Sequence, residues 1–298
     1  MKFFIDSADL KEIRLACSWS IIAGATTNPS LIKTAVDASG GDVTMKDYIA
    51  KILETVPGPV SLEVIALDAE AMVEQARTLY TTFSSYGDVA IKIPINTSMA
   101  EGLNLFDGLQ AIKQLSEEHI PVNTTLIMTP EQALLAAKAG TTYVSPFMGR
   151  IDDHIRANLG LKRGVDYQRG DYYDPTPVQQ VLVQQVATQI RGETSVAQLY
   201  QRKELRELLA AAHDNGVYSG LDLVQRILRI FRAYDYGVEV IAASIRNTRQ
   251  VRELAELGVH IATIPFSVLK DMIHHPKTLE GLKSFTADVV PSYAQLFE

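Results

Sequence analysis

Short apolar runs alternate along this chain with longer stretches whose apolar positions recur every three to four residues. The runs predict strands at Lys2–Asp6, Ala23–Asn28, Val60–Ala66, Val89–Ile95, Pro121–Ile127, Tyr143–Phe147, Val238–Ser244 and His260–Pro265. The helical periods fall at Ala8–Cys17, Met45–Val56, Ala69–Phe83, Met99–Glu118, Pro130–Ala139, Leu221–Tyr234, Asn247–Leu257 and Ser267–His274. Asp68 is placed to cap the third helix; Pro130 and Gly140 mark the start and stop of the fifth. Eight strands and eight helices in strict alternation imply a parallel sheet, and in this length a closed (β/α)8 TIM barrel.

One stretch breaks the rhythm. Between the sixth strand and its expected helix, about 154–220 runs through polar, Tyr- and Asp-rich turns and two further helical patterns, Val178–Ile190 and Ser195–His213. The expected organisation is a single barrel domain over 1–298 with this helical insertion inside it. A long insertion after a barrel strand is either a decoration of the rim or a lid or oligomer contact on the active-site face.

Within the runs, polar residues recur where a barrel gathers its chemistry, at the C-terminal ends of the strands. Asp6 ends the first and Asn28 the second. Glu63 lies in the third, Lys92 in the fourth, Asn123 and Thr125 on one face of the fifth, and Ser145 late in the sixth with Arg150 beyond it. Ser244 and Arg246 are two apart at the end of the seventh. A single strand-end polar residue is ordinarily just solvated; recurrence over seven of eight strands describes a polar, charge-bearing mouth.

Lys92 is the most informative of these. It interrupts the apolar run Val89–Pro94, where an ammonium is costly unless it is paired or loses its proton. A neutral, desolvated amine attacks carbonyls; a lysine that snorkels or pairs with a carboxylate does not. Asp6 and Glu63 offer carboxylates for proton transfer, or counter-ions for the lysine. Arg150, Ser244 and Arg246 suit a phosphate, since guanidinium forks match its oxygens; they also fit a salt-bridged rim.

Composition narrows the rest. Of 298 residues, 47% are hydrophobic and 21% charged, enough apolar material for a large core. The net charge of −7 argues against a nucleic-acid partner. Cys17 stands alone, which excludes an intrachain disulfide. No apolar run reaches the ~18 residues of a membrane span and no signal peptide is legible, so a soluble cytoplasmic protein is expected. The six histidines show no metal-ligand spacing and no glycine-rich phosphate loop occurs; no metal or cofactor is expected.

The segments Phe4–Ala8, Thr26–Leu31, Ile91–Pro94, Asn123–Leu126, Val144–Asp153, Ala243–Asn247 and Ala262–Pro265 resemble the transaldolase family. TTNPSL and SPFxGRxDD are its most specific motifs here, and the match covers about 1–153 and 220–290. The resemblance implies a Schiff-base enzyme of the pentose phosphate pathway that moves a dihydroxyacetone unit between sugar phosphates. Lys92 would form the imine, and Asp6 would take the C4-hydroxyl proton. Glu63 and Thr125 would hold a catalytic water. Asn28, Asn123 and Ser145 would bind the dihydroxyacetone part, and Arg150, Ser244 and Arg246 the phosphate. A homo-oligomer is expected.

A related family, fructose-6-phosphate aldolase, has glutamine and tyrosine where this chain has Glu63 and Phe147, which favours the transferase. The insertion departs from the short transaldolases, which pass almost directly from the arginine-aspartate motif to the next helix. Its extra cations, Arg156, Lys162, Arg163 and Arg169, are expected at the mouth and leave a sulfonated sugar open beside a phosphorylated one.

Overall fold

In the computed structural model, which describes residues 1–38, 43–99, 105–189, 197 and 201–297, eight parallel strands close into a barrel in sequence order. They are β1 (Lys2–Asp6), β2 (Ile22–Thr26), β3 (Val60–Glu63), β4 (Val89–Pro94), β5 (Val122–Ile127), β6 (Tyr143–Pro146), β7 (Glu239–Ala242) and β8 (Ile261–Ile264). β8 pairs back onto β1, with Lys2 opposite Ile261. Among the described residues no helix is long and apolar enough to cross a membrane.

The pleat divides each strand between two environments. Ile5, Leu62, Ile91, Ile93, Val122, Val144, Val240 and Ile264 belong to the main apolar cluster, shared with the surrounding helices. Phe4, Ile241 and Ile261 form a second, smaller cluster that plugs the barrel. Two residues above Phe4 on the same face comes Asp6. The same step on other strands leads from Ala90 to Lys92, from Tyr143 to Ser145 and from Ile261 to Thr263. The barrel interior is therefore apolar at one end and polar at the end where the strands finish.

Most strand boundaries shorten by one to three residues at the C-terminal end relative to the sequence expectation, because the chain leaves the ladder where the polar residues begin. Two helices between strands are not predicted by the apolar periodicity. Pro29–Ala38 follows β2, and the Asn28 side chain caps it by accepting from Leu31 N at 2.9 Å. Met148–Asn158 follows β6 directly. It runs through the expected start of the insertion, so the irregular segment begins after Asn158.

Within that segment are helices Pro175–Gln189 and Lys203–Ala211, which differ in extent from the periods at Val178–Ile190 and Ser195–His213. Parts of those two periods, at 190, 195–196 and 198–200, lie outside the described residues. The helix expected at Met99–Glu118 is seen from Asp107 to Glu117, and 100–104 also lie outside. After Phe266–Asp271 the chain adds Pro276–Ala287 and Pro291–Ala294, which carry no buried residue and have no counterpart among the predicted elements.

Candidate active site

The polar end of the barrel opens into a cavity of about 760 Å³ lined by Asp6, Asn28, Glu63, Lys92, Ser145, Phe147, Arg150, Ser244 and Arg246, together with Asp153, Arg163 and Arg169. Of the eleven residues singled out by sequence, nine face this one space. Asn123 and Thr125 lie immediately beneath it, fully buried on β5.

Strand register explains the convergence. Glu63 stands opposite Lys92, Lys92 opposite Asn123, and Pro94 opposite Thr125. Lys92 is only 6% exposed. Its Nζ donates to the Thr27 carbonyl at 3.1 Å and lies 3.3 Å from Glu63 Oε2. The lysine is thus ion-paired to Glu63, one of the two counter-ions that the sequence offers it. A lysine head group this deep is tolerated because a carboxylate and a carbonyl replace its water.

Asp6 accepts from Thr26 Oγ1 at 2.9 Å. Burial among protein atoms pushes its carboxyl above the ordinary aspartate range, against the opposing pull of Lys92, the Thr26 hydroxyl and Arg169. On β5, Asn123 donates to Ser61 Oγ at 3.0 Å and accepts from Ser145 Oγ at 2.7 Å, so the three side chains fix one another. The Thr125 hydroxyl is buried and has no protein partner.

Two mouth residues hold uncommon backbone. Leu126 has φ +60° and Ser244 φ +60°. The β5–β6 register slips between Thr124 and Ile127, so β5 bends at the rim. Ser244 turns the chain after β7 so that both it and Arg246 reach the cavity. Gly149 makes room for this turn: a Cβ there would sit 2.6 Å from Arg246 Nε.

The arginine end is organised by Asp153, whose importance sequence reasoning misses although it lies inside the quoted motif. Its Oδ2 accepts from Arg246 Nη2 at 2.8 Å and lies 3.6 Å from Arg163 Nη1. Tyr167 donates to its Oδ1 at 3.2 Å. Arg150 stays exposed, with its guanidinium 4.8 Å from the centre of the Phe147 ring.

Of the four cations expected at the mouth from the insertion, Arg163 and Arg169 line it and Lys162 does not. Arg156 is instead a buried strut. It lies 4.2 Å from the Tyr167 ring centre and 5.2 Å from that of Tyr173, and donates to the Asp171 carbonyl at 3.0 Å. A guanidinium held between two rings and a carbonyl packs the insertion against its helix and is not free for a ligand.

The chain matches the family model described as transaldolase/fructose-6-phosphate aldolase over residues 3–297. A probable transaldolase of Chlorobium chlorochromatii is 38% identical over 97% of this chain and 97% of its own. Probable transaldolases of Thermoplasma acidophilum and Aquifex aeolicus are 37% and 35% identical, each over 97% of this chain and 95% and 96% of their own. With matches of that extent, the chain belongs to the transaldolase/fructose-6-phosphate aldolase family.

Proposed function

We propose that the protein is a transaldolase that moves a dihydroxyacetone unit from a ketose phosphate, fructose 6-phosphate or sedoheptulose 7-phosphate, to an aldose phosphate through an imine on Lys92. One observation carries the reading: a buried amine on β4 shares a cavity with two carboxylates at one end and an arginine cluster at the other. The family relatives give it context.

Lys92 must lose its proton before it can attack C2 of the ketose, and Glu63, 3.3 Å away, is the carboxylate beside it. The carbinolamine then loses water. The Thr125 hydroxyl, buried without a protein partner, is suited to hold that water together with Glu63. In the protonated imine, Asp6 takes the C4-hydroxyl proton. The C3–C4 bond breaks, C4 becomes the aldehyde carbon, and the electron pair moves through C3 to the imine nitrogen, leaving a three-carbon enamine on Lys92. Asn123 and Ser145, already locked to each other, fix the hydroxyls of that unit, with Asn28 beside them. Arg150, Ser244 and Arg246 hold the phosphate of the departing fragment and then of the acceptor. Addition of the enamine to the acceptor aldehyde reverses the steps.

A lyase of the fructose-6-phosphate aldolase kind is the second reading, and Glu63 with Phe147 speaks against it. The test is to supply fructose 6-phosphate with and without erythrose 4-phosphate and follow glyceraldehyde 3-phosphate. Product that requires the acceptor is expected. Product without it would identify a lyase, and no product in either arm would defeat both readings. Borohydride added with fructose 6-phosphate should fix a three-carbon unit to Lys92 in a peptide map. We further propose that the chain works as a homo-oligomer.

A further inference from the structure

The anion end of the mouth holds more positive charge than the barrel alone supplies. Arg150 and Arg246 come from the segments after β6 and β7. Arg163 and Arg169 come from the insertion, and all four line the same cavity. Asp6 and Glu63 sit with Lys92, and Arg169 also acts on the Asp6 charge; the carboxylate set among the arginines is Asp153. That single charge serves Arg246 at 2.8 Å and Arg163 at 3.6 Å, with Arg156 at 4.0 Å behind it. Among the described residues neither Arg150 nor Arg169 has an ion-pair partner, and the buried Arg246 Nε has no hydrogen-bond partner. Four arginines against Asp153, and Asp6 beyond it, leave the cluster at least two positive charges in excess.

The insertion is also fastened where it must be for this to matter. Asn247 Nδ2 donates to the Gly170 carbonyl at 3.1 Å, and Arg246 Nη1 lies 3.5 Å from the Arg169 carbonyl. Tyr172 donates to Glu253 at 3.0 Å, and its ring lies under the Arg249 guanidinium at 3.6 Å. The backbone that carries Arg169 is therefore tied to the same loop that carries Ser244 and Arg246.

We propose that Arg163 and Arg169 are specificity-determining residues: with Arg150 and Arg246 they select a doubly charged tetrahedral head group, a phosphate dianion, over a singly charged one of similar shape such as a sulfonate. Attraction to a fixed cluster scales with ligand charge, whereas the two groups offer the cluster similar oxygen geometry. The identity of the sugar rests on the transaldolase reading; the charge preference does not.

The experiment titrates the full chain with inorganic phosphate and with methanesulfonate by calorimetry at pH 8 and low salt. Phosphate is expected to bind at least about tenfold more tightly. Arg163→Ala and Arg169→Ala should each weaken phosphate by roughly three- to tenfold and methanesulfonate by less. The double variant should then narrow the ratio, and Arg169→Lys should keep most of it. Both side chains are exposed, 56% for Arg163, so folding should survive. An unchanged ratio in the double variant, or no preference in the parent, overturns the proposal. Turnover of fructose 6-phosphate by the same proteins separates the two claims. A collapsed ratio without parental turnover would uphold the charge preference and remove the transaldolase reading. Parental turnover with an unchanged ratio would do the reverse.

Discussion

Lys92 and Glu63 make each other's burial tolerable, and this changes what removing either one should do. From sequence alone, replacing a lone core lysine by methionine promises a fold at least as stable as the parent. With Glu63 Oε2 only 3.3 Å from Nζ, Lys92→Met instead strands a carboxylate whose side chain is 17% exposed. The expected loss is about 1–3 kcal/mol, held down by that residual access to water. Lys92→Met/Glu63→Gln should recover most of it, and both proteins should fail to form product or to be labelled by borohydride. Chemical denaturation of the pair measures the first effect; a single variant as stable as the parent would mean that the ion pair carries no structural weight. For Asp6 the sign is set by its raised pKa. As the base of the proposed cleavage it must be ionised, so activity is lost as pH falls through a value above the ordinary ~3.9 of aspartate. The acid limb of kcat/KM against pH should lie there, and Asp6→Asn should lower kcat by roughly 10²–10⁴-fold. A profile flat down to pH 4 would remove Asp6 from that role. The candidate residues are readable in advance because an ionisable group at a strand end is conspicuous against an apolar run. Asp153 is not, because a second carboxylate in an Asp-Asp pair on a helix looks like any solvated acid until the insertion folds over it.

At the scale of elements, all eight strands are legible, since each is a short apolar run buried on at least one face. Helix Pro29–Ala38 escapes a reading from periodicity because Asn28 looks like a strand end, whereas its side chain caps the helix beginning at Pro29. Helix Met148–Asn158 escapes it because only Met148, Ile151 and Ile155 face the core, too short an apolar stripe to stand out among charged and polar residues that bind the insertion and β7's loop. Asp152 on that helix shows the cost of the arrangement. Its Oδ1 accepts from Gly220 N at 2.7 Å and its Oδ2 from Gln250 Nε2 at 3.1 Å, which ties the point where the insertion returns to the helix after β7. Burial nevertheless raises its pKa to about 6, against the Gly220 hydrogen bond and the Arg156 charge. A folded pKa above the unfolded value means that the native state holds the proton more tightly, so this group's contribution to stability falls as pH rises from about 4 to 6. At about 1.4 kcal/mol per pH unit, the loss is on the order of 3 kcal/mol. Asp152→Asn keeps the shape and removes the titration. Its stability relative to the parent should therefore climb across that interval, as measured by urea unfolding at pH 4, 5 and 6. Parallel curves for the two proteins would show that Asp152 does not titrate with folding.

For the molecule as a whole, the barrel satisfies its own core but leaves one region unspent. Helix Pro276–Ala287 and the turns after it bury nothing, yet Leu282 is 62% exposed and Phe285 75% exposed, with Tyr293 and Phe297 further along. Beside Phe266–Asp271, Trp19, Ile21, Met272 and Ile273 line an apolar hollow of about 720 Å³. A soluble monomer rarely leaves that much apolar side chain exposed, and a helix that is amphipathic without a partner gains little stability from its own hydrogen bonds. The economical resolution is a second copy of the chain, with the same surface serving both partners or passing round a closed ring. Light scattering behind size exclusion is expected to find an oligomer. Leu282→Asp/Phe285→Asp should lower the mass towards one chain and the midpoint of thermal unfolding with it, because burial of that face then no longer adds to stability. The barrel core and the Lys92 cavity lie in separate elements, so borohydride trapping at Lys92 should persist in whatever fraction stays folded. A parent that runs as a monomer at micromolar concentration would leave the apolar tail without this explanation and would break the proposed homo-oligomer.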